Sequence, residues 1–121
     1  MFAGKIPEAN VAELKLKACA CGLLEDELIF TGYVSDEELV RLYNLCRTFV
    51  FPSWHEGFGL PALEAMACGA PVIVSNTSSL PEVIGLVEAM FDPFDVSAIA
   101  AKLSEILTCE ALRTKIRNHG L

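Results

Sequence analysis

Residues 51–72 read FPSWHEGFGLPALEAMACGAPV, the most informative stretch of the chain. An apolar run leads into a loop that carries two glycines, and Pro61 then opens a short helix that we expect to end at Cys68. Proline near the first turn and a glycine just past the end, here Gly69, form the usual asymmetry of a helix. A second apolar run, PVIVS at 71–75, follows at once. The stretch therefore predicts a strand, a loop, a helix and another buried strand.

The same alternation of apolar runs and helix-spaced patterns extends in both directions. Strands are predicted at 27–32, 48–51, 71–75 and 88–92, and the opening MFAGK reads as the end of a further strand. Helices are predicted at about 7–21, 35–46, 61–68, 79–84, 95–107 and 110–118. This order predicts an α/β fold, a three-layer Rossmann-like parallel sheet flanked by helices. Ligands of such sheets bind at the carboxyl ends of the strands, where the loops 52–60 and 75–79 lie.

Cap signals mark the starts of some of these helices. Ser35 and Glu38 have the spacing of a capping box, and so do Ser79 and Glu82. Asp95 is a preferred N-cap residue directly before an apolar, helix-spaced run. These signals predict side-chain hydrogen bonds at all three helix starts.

Composition narrows the classes of function. At 121 residues the chain holds at most one domain, and its net charge of −7 argues against a nucleic-acid binder. The five cysteines lack the spacing of a zinc site, so we expect no metal and interpret them as reduced, buried thiols of a cytoplasmic protein. We find neither a secretory leader nor an apolar run long enough to span a bilayer.

The glycine-containing loop can bind an anion. Gly57 and Gly59 let the backbone approach a ligand closely, and the following helix presents free N–H groups and the positive end of its dipole. The useful donors are the amides of Phe58, Gly59 and Leu60, with Ala62 as a further candidate, and phosphate is the most natural ligand. A purely structural glycine turn remains an alternative at this point.

Two glutamates flank this predicted anion site. Glu64 lies about one turn inside the helix, where its carboxylate could accept hydrogen bonds from the two hydroxyls of a ribose. Glu56 precedes the glycines and could face the group beyond the phosphate. As alternatives, Glu64 could simply favour the helix dipole, Glu56 could be solvated, and the polar residues of 76–79 could be loop and cap residues only.

The combined pattern resembles a known family. FVFPSWHEGFGLPALEAMACGAPVIVSNTSSLPEVIG is similar to the C-terminal domain of the retaining glycosyltransferases with the GT-B fold, the "glycosyl transferases group 1" family. The family's mark is two glutamates with seven residues between them, which Glu56 and Glu64 match. FTGYVSDEELVRLY and FDPFDVSAIAAKL also fit, so the resemblance covers about residues 1–120.

The resemblance implies roles residue by residue. Glu64 would bind the ribose hydroxyls of a nucleotide-diphosphate sugar, and Glu56 would act as the catalytic glutamate near the reacting face of the donor sugar. The segment Gly57–Leu60 would hold sugar hydroxyls and the diphosphate, and Ser75 and Asn76 would also contact the donor. The family generally needs no metal and no cofactor. UDP, GDP and ADP remain open as the nucleotide.

The resemblance also sets expectations about the rest of the protein. Relative to the family, residues 1–121 correspond to a partial nucleotide-sugar-binding domain, without the acceptor-binding N-terminal domain, the first strand and its basic motif, or the closing helix. We therefore expect the isolated chain to be inactive, and we expect exposed apolar surface that favours self-association. The acceptor, a glycan, lipid or small molecule, would be bound by the absent domain. The expected location is the cytoplasm, with a peripheral position at the inner face of the membrane as an alternative for the full-length protein. A non-catalytic binding module and a structural interaction domain are the alternatives.

Overall fold

The computed structural model describes residues 1–121, which divide into two compact units, Met1–Leu39 and Val40–Leu121. The first unit holds α1 (Glu8–Ala20), a 3₁₀ turn at Glu25–Glu27 and the start of α2 (Asp36–Leu45). Gly22 adopts a φ of 87° directly after α1, as the predicted glycine stop requires. The predicted helix at 7–21 is therefore confirmed.

The predicted strand at 27–32 is wrong as a continuous element. Its first residue belongs to the 3₁₀ turn, and the remainder makes only isolated bridges, Phe2 with Phe30 and Gly4 with Gly32. Gly4 and Gly32 have φ values of 110° and 66°, which interrupt the extended backbone that a ladder needs. The rings of Phe2 and Phe30 stack with centroids 5.1 Å apart, so the two segments do meet.

The second unit follows the predicted order of elements. It continues with β1 (Phe49–Phe51), α3 (Leu60–Ala67), β2 (Val72–Ser75), α4 (Leu80–Ile84), a 3₁₀ turn (Val87–Ala89), β3 (Met90–Phe91), α5 (Val96–Thr108) and α6 (Glu110–Gly120). The strand predicted at 88–92 is shorter than expected because its first two residues belong to the 3₁₀ turn. The other helices and strands of this unit agree with the prediction to within a few residues.

The strands form one parallel sheet in the order β1-β2-β3. Phe49 pairs with Val72 and Ser75 pairs with Phe91, so the carboxyl ends of the strands lie along one edge. Every residue of the central strand β2 is buried, which explains its continuous apolar sequence. The α3 helix packs on β1 and β2 through Ala62 and Ala65, both fully buried, whose small side chains allow a close approach to the sheet.

The predicted caps are confirmed at two helices and wrong at the third. The Ser35 N–H donates to Glu38 Oε2 at 2.8 Å while the Glu38 N–H donates to Ser35 Oγ at 3.3 Å, a complete capping box. Asp95 Oδ1 accepts the N–H groups of Ser97 and Ala98 at 2.8 and 3.2 Å. Ser79 does not cap α4, because its backbone is helical (φ −80°, ψ −15°) and its hydroxyl is directed elsewhere.

Further expectations concern the cysteines and the membrane. All five cysteines are free, but the expectation that they are buried is wrong: Cys46 and Cys68 are half-buried and the others are exposed (Cys19, Cys21, Cys109). Cys19 and Cys21 lie at the end of α1, a helix without a buried residue. No helix combines the length and apolar character needed to cross a bilayer.

Candidate functional site

The candidate site lies where β1 and β2 end. Because these strands are parallel neighbours, the loop after β1 (residues 52–59) and the loop after β2 (residues 76–79) leave the same edge of the sheet. The first loop contains Glu56 and the two glycines, and it runs directly into α3, which carries Glu64. The predicted site residues are therefore gathered around this edge and the first turns of α3.

Hydroxyl groups of the second loop hold the backbone of the first. Ser78 Oγ donates to the Glu56 carbonyl oxygen at 2.7 Å and accepts the Glu56 N–H at 3.3 Å. Ser79 Oγ donates to the same carbonyl at 3.0 Å, and Thr77 Oγ1 donates to the Trp54 carbonyl at 3.2 Å. These hydroxyls are therefore support for the loop, which is the role that the structural interpretation of 76–79 anticipated.

Gly59 can be no other residue without a rearrangement. Its φ is 84°, in the left-handed region, and a Cβ there would lie 2.7 Å from Leu80 Cδ2, well inside contact distance. Gly57 differs, since its φ is not positive and a Cβ would meet nothing within 4 Å. Of the two glycines, only Gly59 is required by the folded chain itself.

The N-terminus of α3 presents hydrogen-bond donors. Gly59 is the N-cap residue, and its carbonyl accepts the N–H groups of Ala62 and Leu63, so the expectation of Ala62 as a free donor is wrong. The amides of Phe58, Gly59 and Leu60 donate to no acceptor within the chain. A helix start with free amides favours an anion, as the sequence predicted. The side chains of Phe58 and Leu60 are more than half exposed, so this end of α3 is open to a ligand.

Glu64 has one polar partner within the chain. The hydroxyl of Tyr43, on α2, donates to Glu64 Oε2 across 3.4 Å. Tyr43 is only 4% exposed, and its ring meets that of Phe49 edge to face. Burial, followed by the negative charge of Glu64, raises the pKa of Tyr43 to about 12. The phenol therefore remains a protonated donor at neutral pH.

Ser75 and Asn76 are placed differently. Asn76 is exposed at the end of β2, where a ligand could reach it. Ser75 is fully buried, and its hydroxyl has neither solvent contact nor a hydrogen-bond partner. In this conformation only Asn76 is accessible, so the predicted donor contact of Ser75 requires its hydroxyl to become uncovered.

The carboxylates of Glu56 and Glu64 lie near the site, and no Lys or Arg is close in sequence; His55 is the one neighbouring basic side chain. Glu56 is half-buried and Glu64 exposed, and neither forms an ion pair within the chain. No Lys or Arg lies between Arg47 and Lys102. No three His, Cys, Asp or Glu side chains gather as metal ligands would. Within residues 48–101 the anion donors that this site offers are therefore backbone amides and not Lys or Arg side chains.

Comparison with known proteins identifies the family. Residues 1–120 match the family model described as "Glycosyl transferases group 1". The chain belongs to this family. The whole chain is 48% identical to "Serotype-specific mannosyltransferase WbdA" of Escherichia coli, of which it covers 15%. Against "O-antigen chain mannosyltransferase B", also of Escherichia coli, identity is 49% across 83% of the chain and 26% of that protein.

Solved structures show the same fold. The sucrose-phosphate synthase of Thermosynechococcus elongatus superimposes with a TM-score of 0.82 at 31% identity, across 97% of this chain and 31% of that one. The catalytic domain of cholesterol-α-glucosyltransferase from Helicobacter pylori gives 0.78 at 22% identity, across 98% of this chain and 73% of that one, which bears on the fold alone. The expected Rossmann-like fold of a GT-B glycosyltransferase is confirmed. The chain spans about 15% of the mannosyltransferase WbdA.

Sequence reasoning missed two features of the candidate site. It did not anticipate the contact of the Tyr43 hydroxyl with Glu64, although a buried tyrosine usually places its hydroxyl against a partner. It also gave no partner to Trp54, whose ring stacks on Phe94 at 5.8 Å while both side chains stay 69% exposed. Phe94 follows β3, and no local pattern connects it with the loop after β1.

Proposed function

We propose that this chain is the donor-binding part of a retaining glycosyltransferase that transfers a sugar from a nucleotide-diphosphate sugar to an acceptor. The observation that carries the proposal is the braced loop at the carboxyl end of β1, which presents free amides between Glu56 and Glu64. A nucleotide-diphosphate sugar consists of a ribose diol, a diphosphate anion and a sugar, in that linear order. The groups that would bind these parts follow in the same order: Glu64, the amides of 58–60, and Glu56.

Each residue has a distinct chemical task in this proposal. Glu64 accepts hydrogen bonds from the ribose hydroxyls, and the amides of Gly57–Leu60 bind the diphosphate and sugar hydroxyls. Glu56 contacts the reacting face of the sugar as the catalytic glutamate. Asn76, at the end of β2, contacts the donor beside them, and Ser75 joins it only if its hydroxyl is uncovered on binding.

The leaving diphosphate is stabilised by groups already in place. As the bond between the sugar and the diphosphate breaks, negative charge grows on the leaving oxygen. Amides and a helix dipole fixed beforehand lower the energy of that charge without reorganisation, a contribution of roughly 3–4 kcal/mol per donor in comparable sites. We therefore propose transfer without a metal or cofactor. We propose that the configuration of the sugar is retained, because Glu56 and Glu64 resemble the glutamate pair of the retaining family.

The proposed substrates follow from relatives as well as from the site. Relatives are named as mannosyltransferases, which favours mannose among the hexoses. Neither UDP, GDP nor ADP is favoured by the residues of the site. The acceptor, a glycan, lipid or small molecule, is bound outside these residues, so we propose that the 121-residue chain alone does not transfer sugar.

Location and self-association belong to the same proposal. We propose a cytoplasmic protein, peripheral at the inner face of the membrane if its acceptor is lipid-linked. Several large apolar side chains are more than half exposed, among them Leu16, Tyr33, Leu45 and Val87. Such a surface favours contact with another polypeptide, including a second copy of this chain.

Glu64→Gln in the complete protein tests the proposed enzyme. The substitution keeps the shape of the side chain but removes the charge that the ribose hydroxyls would meet. We expect a loss of sugar transfer of about 10-fold or more, from weakened donor binding, with little change in the unfolding temperature. Glu82→Gln, at an exposed position of α4, is the matched control. Full activity of Glu64→Gln would contradict the proposal.

A further inference from the structure

We infer that Tyr43 is a positioning residue, which orients the Glu64 carboxylate for recognition of a ribose diol. This inference rests on the proposed function, because it assumes that Glu64 meets the ribose. It concerns a residue that itself touches no substrate. Different contacts hold the side chains of Tyr43 and Glu64 in place.

Tyr43 is fixed and Glu64 is not. The Tyr43 ring is buried between α2 and the sheet, 5.2 Å from the Phe49 ring in an edge-to-face pair, and Phe49 stacks on Phe51. Glu64 is exposed on α3, and its side chain has no ion pair and no other hydrogen bond within the chain. The hydroxyl of Tyr43 is therefore the one polar group that restricts where this carboxylate points.

A restricted carboxylate binds a diol better than a free one. A glutamate side chain has three rotatable bonds, and fixing it on binding costs conformational entropy. The hydrogen bond that Tyr43 donates to Oε2 restricts the side chain before the ligand arrives, so less entropy is lost on binding. Oε2 keeps a second lone pair and Oε1 keeps both, so two ribose hydroxyls can still be accepted.

The protonation state and the distance suit this role. Because burial raises the pKa of Tyr43 to about 12, its hydroxyl remains a donor at neutral pH. The O–O distance of 3.4 Å is longer than a typical O–H···O bond of about 2.7 Å. Hydrogen bonds at binding sites are often long without ligand and shorten when the ligand is bound. Ribose binding is expected to shorten this one.

Discrimination between ribose and deoxyribose tests the inference. Dissociation constants are measured by calorimetry on the complete protein for GDP, UDP and ADP, each beside its 2′-deoxy counterpart. The quantity compared is the dissociation constant of the 2′-deoxynucleotide divided by that of its ribose counterpart, for the nucleotide that binds most tightly. It is determined for the wild type, Tyr43→Phe and Glu64→Gln. Tyr43→Phe removes only the hydroxyl and keeps the buried ring.

We expect Tyr43→Phe to reduce the ratio by about 3- to 10-fold while affinity for the deoxynucleotide hardly changes. Thr48→Val is the matched control, since it removes a hydroxyl that donates to the Pro71 carbonyl at 3.0 Å without contact to Glu64. Thr48→Val is expected to leave the ratio unchanged. If the Tyr43 hydroxyl were purely structural, its removal would weaken the binding of both nucleotides equally, which would overturn the inference.

Glu64→Gln separates failure of the inference from failure of the proposed function. If Glu64→Gln abolishes the preference for ribose and Tyr43→Phe leaves it intact, the inference is overturned and the proposed function stands. If both variants keep the wild-type ratio, Glu64 does not read the ribose and the proposed role fails with it. Absence of nucleotide binding by the wild type would overturn both.

Discussion

Ser78 satisfies both backbone groups of Glu56 with a single hydroxyl, which donates to the carbonyl oxygen at 2.7 Å and accepts the N–H at 3.3 Å. Ser78 itself has a φ of 59°, the one non-glycine residue in the left-handed region. Such a backbone costs roughly 1–2 kcal/mol for an L-residue. The strain is offset by the bonds to Glu56, so the conformation of the loop after β2 and that of the loop after β1 depend on each other.

Ser78→Ala should loosen the loop that carries Glu56. It removes both hydrogen bonds and keeps the strained backbone, so we expect a loss of about 1–3 kcal/mol in the free energy of unfolding. Amide hydrogen exchange at residues 55–58 should become faster. Ser104→Ala, at an exposed position of α5, is the control and should change neither quantity. Unaltered exchange at 55–58 in Ser78→Ala would show that the loop is held by other contacts.

Gly59→Ala should destabilise the protein and Gly57→Ala should not. The first change places a Cβ 2.7 Å from Leu80 Cδ2 at a φ of 84°, whereas the second places it in open space. We expect a loss of about 1–3 kcal/mol for Gly59→Ala and less than about 0.5 kcal/mol for Gly57→Ala, measured by urea unfolding. Equal losses for the two variants would contradict the assignment of Gly59 as the structurally required glycine.

Tyr43 should make stability fall at alkaline pH. Its pKa is about 12 in the folded chain, mainly because of burial, against an ordinary value of about 10. Below about pH 10 both states keep the proton and the contribution to stability is fully present. Between about pH 10 and 12 only the unfolded chain loses it, so the free energy of unfolding falls.

Urea unfolding of wild type and Tyr43→Phe from pH 9 to 12 measures this effect. The wild type should lose more stability than the variant across the window, and the difference in tyrosinate absorbance at 295 nm between the two should titrate near pH 12. Parallel stability curves, or a difference titrating at the ordinary pKa, would show that the Tyr43 hydroxyl is solvated.

Asp95→Ala should remove the N-cap of α5. Asp95 Oδ1 accepts two first-turn N–H groups, at 2.8 and 3.2 Å, and their loss should cost about 1 kcal/mol. Asp95→Asn is the conservative control and should retain most of the stability, because an amide oxygen also caps. Thermal unfolding of the three proteins provides the comparison. Asp95→Asn as unstable as Asp95→Ala would indicate that the charge, and not the cap geometry, is what counts.

The elements and the edge that carries the site were predictable from local pattern. Pro61 and Gly69 delimit α3, apolar runs mark β1 and β2, and parallel strands place their loops on one edge. Gly59 and the amides of α3 follow from the same pattern. These features depend on residues close together in the chain, which is why periodicity and turn chemistry were enough.

What sequence could not provide depends on contacts between distant residues. The hydroxyl of Ser79 was expected to cap its own helix, but the Glu56 carbonyl, 23 residues away, accepts it instead. The pairing of Tyr43 with Glu64 joins two helices, and the burial of Ser75 depends on what covers the end of β2. The strand predicted at 27–32 is reduced to isolated bridges with residues 2 and 4, and the apolar pattern of 27–32 does not reveal the positive φ of its partner Gly4.

An amide NMR titration of this chain with UDP-, GDP- and ADP-sugars tests the central claim most directly. We expect shifts confined to residues 56–60, Glu64 and the loop beginning at Asn76, with one nucleotide responding at the lowest concentration. In a folded chain, absence of shifts with all three, or shifts centred elsewhere, would contradict the claim that this edge of the sheet binds the donor.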